Sequence, residues 1–277
     1  MKIPTNNLSK FFNLISFLFI CLYPLTGISQ DIRSSPSLQG KNIIYVYGGM
    51  KGHSPAESVD LFVPKLRAEG SSVKVFDTLS VYSDEKLMAE TDLIIQIWTD
   101  GQITEEQFNG LEKAVMNGTG LSGWHGGLGD AFRDNLKYQF MVGGQFVSHP
   151  GGMINHSIKI VNKNDPITNG IDDFDLKKTE QYYMLIDPNI KVLAISEFLK
   201  ESYEKPKKKE NKITGSSMPV IWKKNYGKGR IFYSSIGHHL TDFDVPEVMT
   251  MQMRGFRWAS EGKYMKKETT ITPIYKK

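Results

Sequence analysis

The chain has 277 residues, of which 40% are hydrophobic and 11% aromatic, and its net charge at pH 7 is +4. This composition is ordinary for a globular protein, and the length suits one large domain or two small ones. The small excess of positive charge predicts no broad basic surface, so nucleic acid is not expected as a partner.

Residues 1–29 have the pattern of a secretory signal peptide, with cleavage predicted before Gln30. Two lysines and an apolar run precede two small residues: Lys2, Lys10, Phe11–Leu22, Gly27 and Ser29. The apolar run covers about 12 residues, whereas a membrane span needs roughly 20. We therefore expect export to the periplasm or the medium, with no stable membrane anchor after cleavage.

The only cysteine, Cys21, lies inside this predicted signal peptide. The exported chain is therefore predicted to lack disulfides, a cysteine nucleophile and thiolate metal ligands.

A polar lead-in at residues 30–40 precedes a domain predicted over residues 41–262. Its first part alternates between strand-like and helix-like patterns, which predicts a doubly wound parallel α/β sheet. Strands are predicted at KNIIYVYGG, SSVKVFDT, DLIIQIWTD and TGLS. Helices are predicted from Ser54 as N-cap with Pro55 at N1, over Thr104–Asn117 with a Thr104–Gln107 capping box, and over Asp130–Val142.

Beyond residue 143, strand-like runs follow one another with short turns, which predicts an antiparallel extension of the sheet. These runs are NHSIKIVN, EQYYMLI, IKVLAIS, MPVIWKK and GRIFYSSIG, and a helix is predicted over Val245–Ser260. The charge-rich segment near 200–216 has no apolar periodicity and is interpreted as a solvated insertion. Residues 263–277 form a polar tail, so the whole is interpreted as one domain.

Five of the six histidines lie in turns marked by glycine or proline after strand-like runs: His53, His125, His149, His238 and His239. Ligands of open α/β sheets bind outside the carboxyl ends of the strands, so this pattern predicts one site at that edge. Of the adjacent pair, His238 is expected to reach the site and His239 to point away. The sixth, His156, opens a strand and is expected to be structural.

The sequence GWHGG places His125 where the nucleophile stands in the G-x-[Ser/Cys]-x-G elbow between a strand and a helix. An imidazole there is suited to acid–base chemistry or metal binding, and not to stable acyl transfer. The alternative is a turn whose glycines only permit tight packing.

Two further segments carry candidate groups. In GGQFVSHPGG, two glycine pairs flank His149, which is either a ligand-binding or merely a solvated loop residue. In TEQYY, Glu180 and Tyr182 are expected on one face of a strand. There they could hold a sugar hydroxyl, a metal or an imidazole, or form only a half-buried strand pair.

Taken together, GLSGWHGG, GGQFVSHP, DPITNGI, TEQYY, MPVIWKKNYGKGRIFYSSIGH and RGFRWAS resemble the ThuA-like family, named for trehalose utilisation. This family belongs to the class I glutamine amidotransferase-like superfamily, and the resemblance runs from about Lys41 to Ser260. It implies a flavodoxin-like sheet and a role in carbohydrate metabolism, not amide-nitrogen transfer. It also implies a set of catalytic residues: His125, Glu180, His149, His238 and Tyr182.

The first functional hypothesis is an exported enzyme that acts on a disaccharide or keto-glycoside by His/Glu acid–base or metal-assisted chemistry. Zinc or another divalent ion would be bound by His125, His149, His238 and Glu180, and no nucleotide cofactor is expected. Substrate contacts are predicted for His53, Trp124, Gly126 and Gln145.

The alternative is a noncatalytic carbohydrate-binding protein on the same scaffold. In that case aromatic rings would stack on the sugar while the histidines only form hydrogen bonds. The candidate rings are Trp98, Trp124, Tyr182 and Tyr183. An amidohydrolase or peptidase is a weaker hypothesis, because the nucleophile is missing.

Overall fold

The computed structural model describes residues 36–199 and 213–265. The predicted signal peptide, most of the charged insertion and all but the start of the polar tail lie outside these residues. In the described part of the chain, no helix combines the length and apolar character needed to cross a bilayer.

The first part of the chain alternates strands and helices, as the sequence predicted. Its elements are β1 (Asn42–Gly49), α1 (Pro55–Ala68), β2 (Ser72–Phe76), α2 (Glu85–Glu90), β3 (Leu93–Thr99), α3 (Glu105–Met116), β4 (Gly120–Trp124), α4 (Gly126–Gly129) and α5 (Leu136–Val142). The second part is mostly strands. Its elements are β5 (Gly144–Ser148), β6 (Met153–Ile160), β7 (Phe174–Glu180), β8 (Tyr183–Ile186), β9 (Lys191–Glu197), β10 (Ser217–Tyr226), β11 (Gly229–Ser234) and α6 (Pro246–Ala259).

Nine strands form one sheet in the order β2-β1-β3-β4-β11-β10-β9-β6-β7, and β5 pairs with β8 in a separate two-stranded sheet. Strands β2, β1, β3, β4 and β11 are parallel. Their order is that of a flavodoxin-like sheet, so the predicted fold class is confirmed. The four remaining strands are antiparallel and form the predicted extension.

The hydrophobic core lies on both faces of this sheet, which explains the uninterrupted apolar runs of the central strands. In β1, Tyr45 belongs to the cluster that includes Phe62 of α1, whereas Ile44 belongs to the cluster that includes Leu111 of α3. Alternate residues of one strand therefore pack under helices on opposite faces.

Helix starts follow the sequence predictions at α1, α3 and α6, but not at α5. At α3 the Thr104 Oγ1 accepts from the Gln107 amide, and Gln107 Oε1 accepts from the Thr104 amide, which confirms the capping box. Pro55 begins α1 as predicted. Ser54 is the N-cap by position, but it has a left-handed backbone and its side chain makes no capping hydrogen bond.

Two predicted elements were wrong in extent. The helix expected from Asp130 begins only at Leu136, because Phe132 has φ +48° and cannot lie in a right-handed helix. The strand expected over EQYYMLI is divided between β7 and β8. The break is stabilised by Gln181, whose amide donates to Ser196 Oγ at 2.8 Å.

Candidate active site

Four ionisable side chains converge at one edge of the sheet. His53 lies in the turn after β1, His125 directly follows β4, His238 follows β11, and Glu180 is the last residue of β7. One nitrogen or carboxylate oxygen from each lies within 4.8 Å of the others. The four residues are far apart in sequence, so the fold alone assembles them.

His125 projects from a strained turn. Its backbone has φ +48° and ψ −138°, which is unusual for a residue with a side chain, and it lies between β4 and α4. The flanking glycines make this turn possible. A Cβ at Gly123 would overlap the Gln96 carbonyl oxygen, and one at Gly127 would lie 2.8 Å from Ile97 Cα. The predicted elbow is therefore present in the backbone.

The buried ring of His125 has a defined tautomer. Its Nδ1 lies 2.9 Å from the Ser235 carbonyl oxygen, and because a carbonyl only accepts, Nδ1 must carry a hydrogen. In the neutral ring this leaves the lone pair of Nε2 for the cluster. Around Nε2 lie Tyr182 Oη at 2.7 Å, His238 Nδ1 at 3.1 Å and Glu180 Oε2 at 3.2 Å.

Glu180 supplies the negative charge of the cluster. Its Oε2 lies 3.2 Å from both His125 Nε2 and His238 Nδ1. Burial by itself raises the pKa of this carboxyl, but the adjoining imidazoles of His125 and His238 outweigh it and hold the pKa well below its usual range. The carboxylate is therefore ionised at neutral pH.

The imidazoles of His53 and His125 are neutral at the same pH. Burial, reinforced by the neighbouring His125 and His238, lowers the pKa of His53 to about 4. Burial also lowers the pKa of His125, despite the opposing effect of Glu180. Neutral imidazoles beside an ionised carboxylate are the ligand set that a divalent cation binds.

The spacing of these groups also fits a metal. His125 Nε2 and the Glu180 oxygen both present lone pairs at a separation of 3.2 Å, so a cation placed between them could be bound by both. Ligands on a tetrahedral zinc ion with bonds of ~2.1 Å lie ~3.4 Å apart. The observed separations of 3.1 and 3.2 Å among His125, His238 and Glu180 are close to that value.

Tyr182 covers the inner side of His125. Its hydroxyl donates to Nε2, and its ring stacks on the imidazole with centroids 4.1 Å apart. Burial, together with the nearby Tyr233 and Glu180, raises the pKa of Tyr182 far above its ordinary value. The hydroxyl therefore remains protonated and acts as a hydrogen-bond donor.

A family model described as "Trehalose utilisation" matches residues 43–259. The chain belongs to the ThuA family. This membership links it to carbohydrate utilisation. No curated protein matches the sequence.

Solved structures agree on the fold. A ThuA-like protein from Bacteroides uniformis ATCC 8492 aligns with TM-score 0.66 and 17% identity over 82% of this chain and 93% of its own. One from Parabacteroides merdae ATCC 43184 aligns with TM-score 0.62 and 17% identity, over 84% and 97%. A cytoplasmic protein from Salmonella typhimurium LT2 aligns with TM-score 0.50 and 11% identity, over 82% and 100%. At such identities the similarity shows the fold alone.

The four converging residues of this ThuA-family chain differ in one member from the predicted metal ligands. His53, expected only as a substrate contact, belongs to the group. His149 lies at its rim, with 44% of its side chain exposed and Nε2 3.5 Å from Glu180 Oε1. The reason is that His149 follows β5, which belongs to the separate two-stranded sheet.

Trp124 does not line the site, so its predicted substrate contact is wrong. Its indole is 1% exposed and packs between Phe62 and Phe243, with ring centroids 4.6 and 5.0 Å away. It is the last residue of β4, and its ring belongs to the core cluster on the α1 face.

The two other predicted substrate contacts, Gly126 and Gln145, have different surroundings. Gly126 lies directly beneath His53, where a Cβ would come within 2.8 Å of the ring. Gln145 precedes Phe146 on β5, so the two point to opposite faces of the strand. Because Phe146 faces Tyr182 at 4.4 Å, Gln145 faces away from it.

The two remaining histidines lie outside the group of four. His239 is exposed beside His238, as expected for the member of the pair that points away. His156 is 6% exposed within β6, which agrees with the structural role expected of it.

Sequence reasoning missed several residues around the group. Thr99, the last residue of β3, places Oγ1 2.9 Å from His53 Nδ1. Arg133 forms a bidentate pair with the buried Asp130 and lies 5.5 Å from the Phe146 ring. Thr99 could have been found, since it ends a parallel strand at the same edge. Arg133 could not, because it was assigned to a helix that does not form there.

Proposed function

We propose that this protein is an enzyme that acts on a carbohydrate, with a divalent metal bound by His53, His125, His238 and Glu180. The observation that carries the proposal is the convergence of neutral imidazoles and one ionised carboxylate. Zinc, or another divalent ion, would polarise a sugar carbonyl or lower the pKa of a bound water.

The surrounding residues suit proton transfer. Glu180 holds the negative charge, and Tyr182 keeps its proton. If a metal were bound at Nε2 of His125, the Tyr182 hydroxyl would have to find another acceptor, and an oxygen atom at the metal site could take that place. His149 is half-exposed and places Nε2 3.5 Å from the outer oxygen of Glu180, a position from which an imidazole could pass protons between the group and solvent.

We propose a disaccharide or keto-glycoside as substrate, without a nucleotide cofactor. Family membership supports the carbohydrate. The elbow argues against amide transfer from glutamine, because it carries His125 and the only cysteine of the chain is Cys21. The leader-like residues 1–29 support an exported protein without a stable anchor, which cell fractionation with an antibody would test.

A noncatalytic carbohydrate-binding protein is less well supported. Two of the four rings that would stack on a sugar, Trp124 and Tyr182, are each 1% exposed. A binding platform needs an accessible aromatic face, and these two rings pack against protein instead.

The decisive experiment is elemental analysis of the protein purified without an affinity tag. We expect about one zinc or other divalent ion per chain, and its loss in His125→Ala and in His238→Ala. His239→Ala is the matched control, since it removes an exposed imidazole beside His238 and should retain the metal. An active protein without metal would overturn metal dependence and leave acid–base catalysis by the same residues.

The metal-loaded protein should then be given a panel of disaccharides and their keto derivatives, with products followed by NMR. Turnover that disappears in His125→Ala supports the enzyme. Binding of a sugar without turnover across the panel would favour the noncatalytic alternative.

A further inference from the structure

His53 is the least constrained ligand by sequence, because its segment, GGMKGH, contains three glycines, two at the end of β1 and one in the turn. In the structure, however, its ring is held from two sides. Thr99 contacts one ring nitrogen, and Gly126 lies against the ring. These two contacts suggest that the ring is oriented before any metal binds.

Thr99 provides a directional contact. It is 1% exposed, and its Oγ1 lies 2.9 Å from His53 Nδ1. A histidine that binds a metal through one nitrogen usually donates the hydrogen of the other to a nearby oxygen. With Nδ1 donating to Thr99, Nε2 is the nitrogen left to bind the metal. The arrangement parallels that of His125, whose Nδ1 donates to the Ser235 carbonyl.

Gly126 provides space. A Cβ at this position would lie 2.8 Å from both Cε1 and Nδ1 of His53 and 2.9 Å from Thr99 Cγ2. Such distances are shorter than van der Waals contact, so any side chain would displace the ring. Gly126 does not have a positive φ, so it is the lack of a side chain, not backbone freedom, that matters here.

We propose that Thr99 is a positioning residue for the metal site, and that it orients His53 through Nδ1 while Gly126 admits the ring. This inference rests on the proposed metal function. Thr99 does not touch the metal itself; it acts through His53.

The test is metal affinity of the purified chain after its metal has been removed by a chelator. Zn²⁺ affinity is measured by competition with a chromophoric chelator, and coordination by the visible spectrum of bound Co²⁺. Thr99→Val keeps the shape but removes the hydroxyl, so we expect affinity to fall about 10–100-fold with an altered Co²⁺ spectrum. Thr99→Ser keeps the hydroxyl and should restore both readouts.

Thr119→Val is the matched control. Thr119 is also a buried threonine whose hydroxyl makes one hydrogen bond, to the Thr91 carbonyl, but it precedes β4 at the opposite edge of the sheet. This variant should lose some stability without any change in Zn²⁺ affinity. Equal losses of affinity in Thr99→Val and Thr119→Val would show general destabilisation and overturn the positioning role.

A second pair of variants tests the space beneath His53. Gly126→Ala should weaken Zn²⁺ binding, because the added methyl group collides with the ring. Gly52→Ala adds the same group beside His53, where the new Cβ would lie 4.0 Å from Met50 Cγ, and should leave binding unchanged. Wild-type affinity in Gly126→Ala would contradict the packing argument.

The outcomes separate the two proposals. If the wild-type chain binds no divalent ion, the proposed metal function fails. If it binds one and Thr99→Val binds it equally well, or Thr99→Ser does not restore binding, the metal function stands and the positioning role is overturned.

Discussion

The parallel and antiparallel halves of the sheet contribute to the site in different ways. The parallel half provides His53, His125 and His238, each in a loop that follows a strand. Parallel strands bring such loops to one edge by topology. The antiparallel half provides Glu180, although β7 is the outermost strand at the far side of the sheet. Glu180 is the last residue of β7, and whether it reaches the site depends on how the chain packs after this strand.

The two halves also differ in chemistry. The parallel half supplies imidazoles, whereas the antiparallel half supplies the negative charge and the protonated phenol of Tyr182. They are joined near the site by Thr179 of β7, whose hydroxyl lies 2.7 Å from a buried oxygen of Asp242. A complete site therefore requires both halves to be folded, which the following experiments test from the largest expected effect to the smallest.

Glu180→Gln removes the only carboxylate of the cluster and nearly preserves the shape of the side chain. Turnover of the proposed carbohydrate substrate should fall about 10²–10⁴-fold, because the carboxylate that would bind the metal and accept a proton is lost. Steady-state kinetics measure this effect. Asp175→Asn on the same strand is the control, since Asp175 is exposed and outside the group. Unchanged turnover in Glu180→Gln would mean that the antiparallel half contributes no charge to the reaction.

Leu93→Ala in β3 and Leu193→Ala in β9 are a matched pair of core substitutions, because both side chains are fully buried. Each should lower the free energy of unfolding by about 2–5 kcal/mol. If the halves fold cooperatively, urea unfolding of either variant is one transition seen equally by fluorescence and circular dichroism. A separate early transition in Leu193→Ala would show that the antiparallel half unfolds independently.

His156 should make the antiparallel half sensitive to acid. Burial lowers its pKa from 6.5 to about 4, so the folded state binds its proton less readily than the unfolded state. The stability it confers is complete above pH 6.5 and is lost as the pH falls toward 4. Between pH 7.5 and pH 5 the loss is about 2 kcal/mol.

His156→Gln removes this titrating group, so its unfolding free energy should depend less on pH over the same range. Urea unfolding of the metal-free protein at both pH values measures the difference, and His53 titrates equally in both proteins. Identical pH dependence in the two proteins would contradict the assignment.

Thr104→Ala should have the smallest effect. It removes the capping box of α3 in the parallel half and should cost about 1 kcal/mol of stability. Thr104→Asp retains a capping oxygen and should recover most of it. Zn²⁺ affinity should not change in either variant, since α3 does not carry a ligand; reduced affinity would mean that the parallel half transmits strain from α3 to the site.

Much of the parallel half could be predicted from sequence because its signals are local. The capping box at Thr104 and the glycines around His125 act over a few residues. The members of the group of four converging residues were harder to predict. The segment before His149 has the pattern of an ordinary short strand. No local pattern shows that β5 pairs with β8 in a separate sheet, which leaves His149 at the rim of the site. Trp124 adjoins His125 in the sequence, but as the last residue of β4 it packs into the core on the α1 face.

By itself, the sequence determined the doubly wound α/β core, the antiparallel extension and the histidine at the elbow, since periodicity and turn chemistry are short-range properties. Only the tertiary structure decided that Glu180 meets His125 and His238, and that His53 joins them in place of His149. These contacts depend on the path of the chain after β7 and on the space that the absence of a side chain at Gly126 leaves for the His53 ring. Both result from packing between residues distant in sequence, which local patterns do not encode.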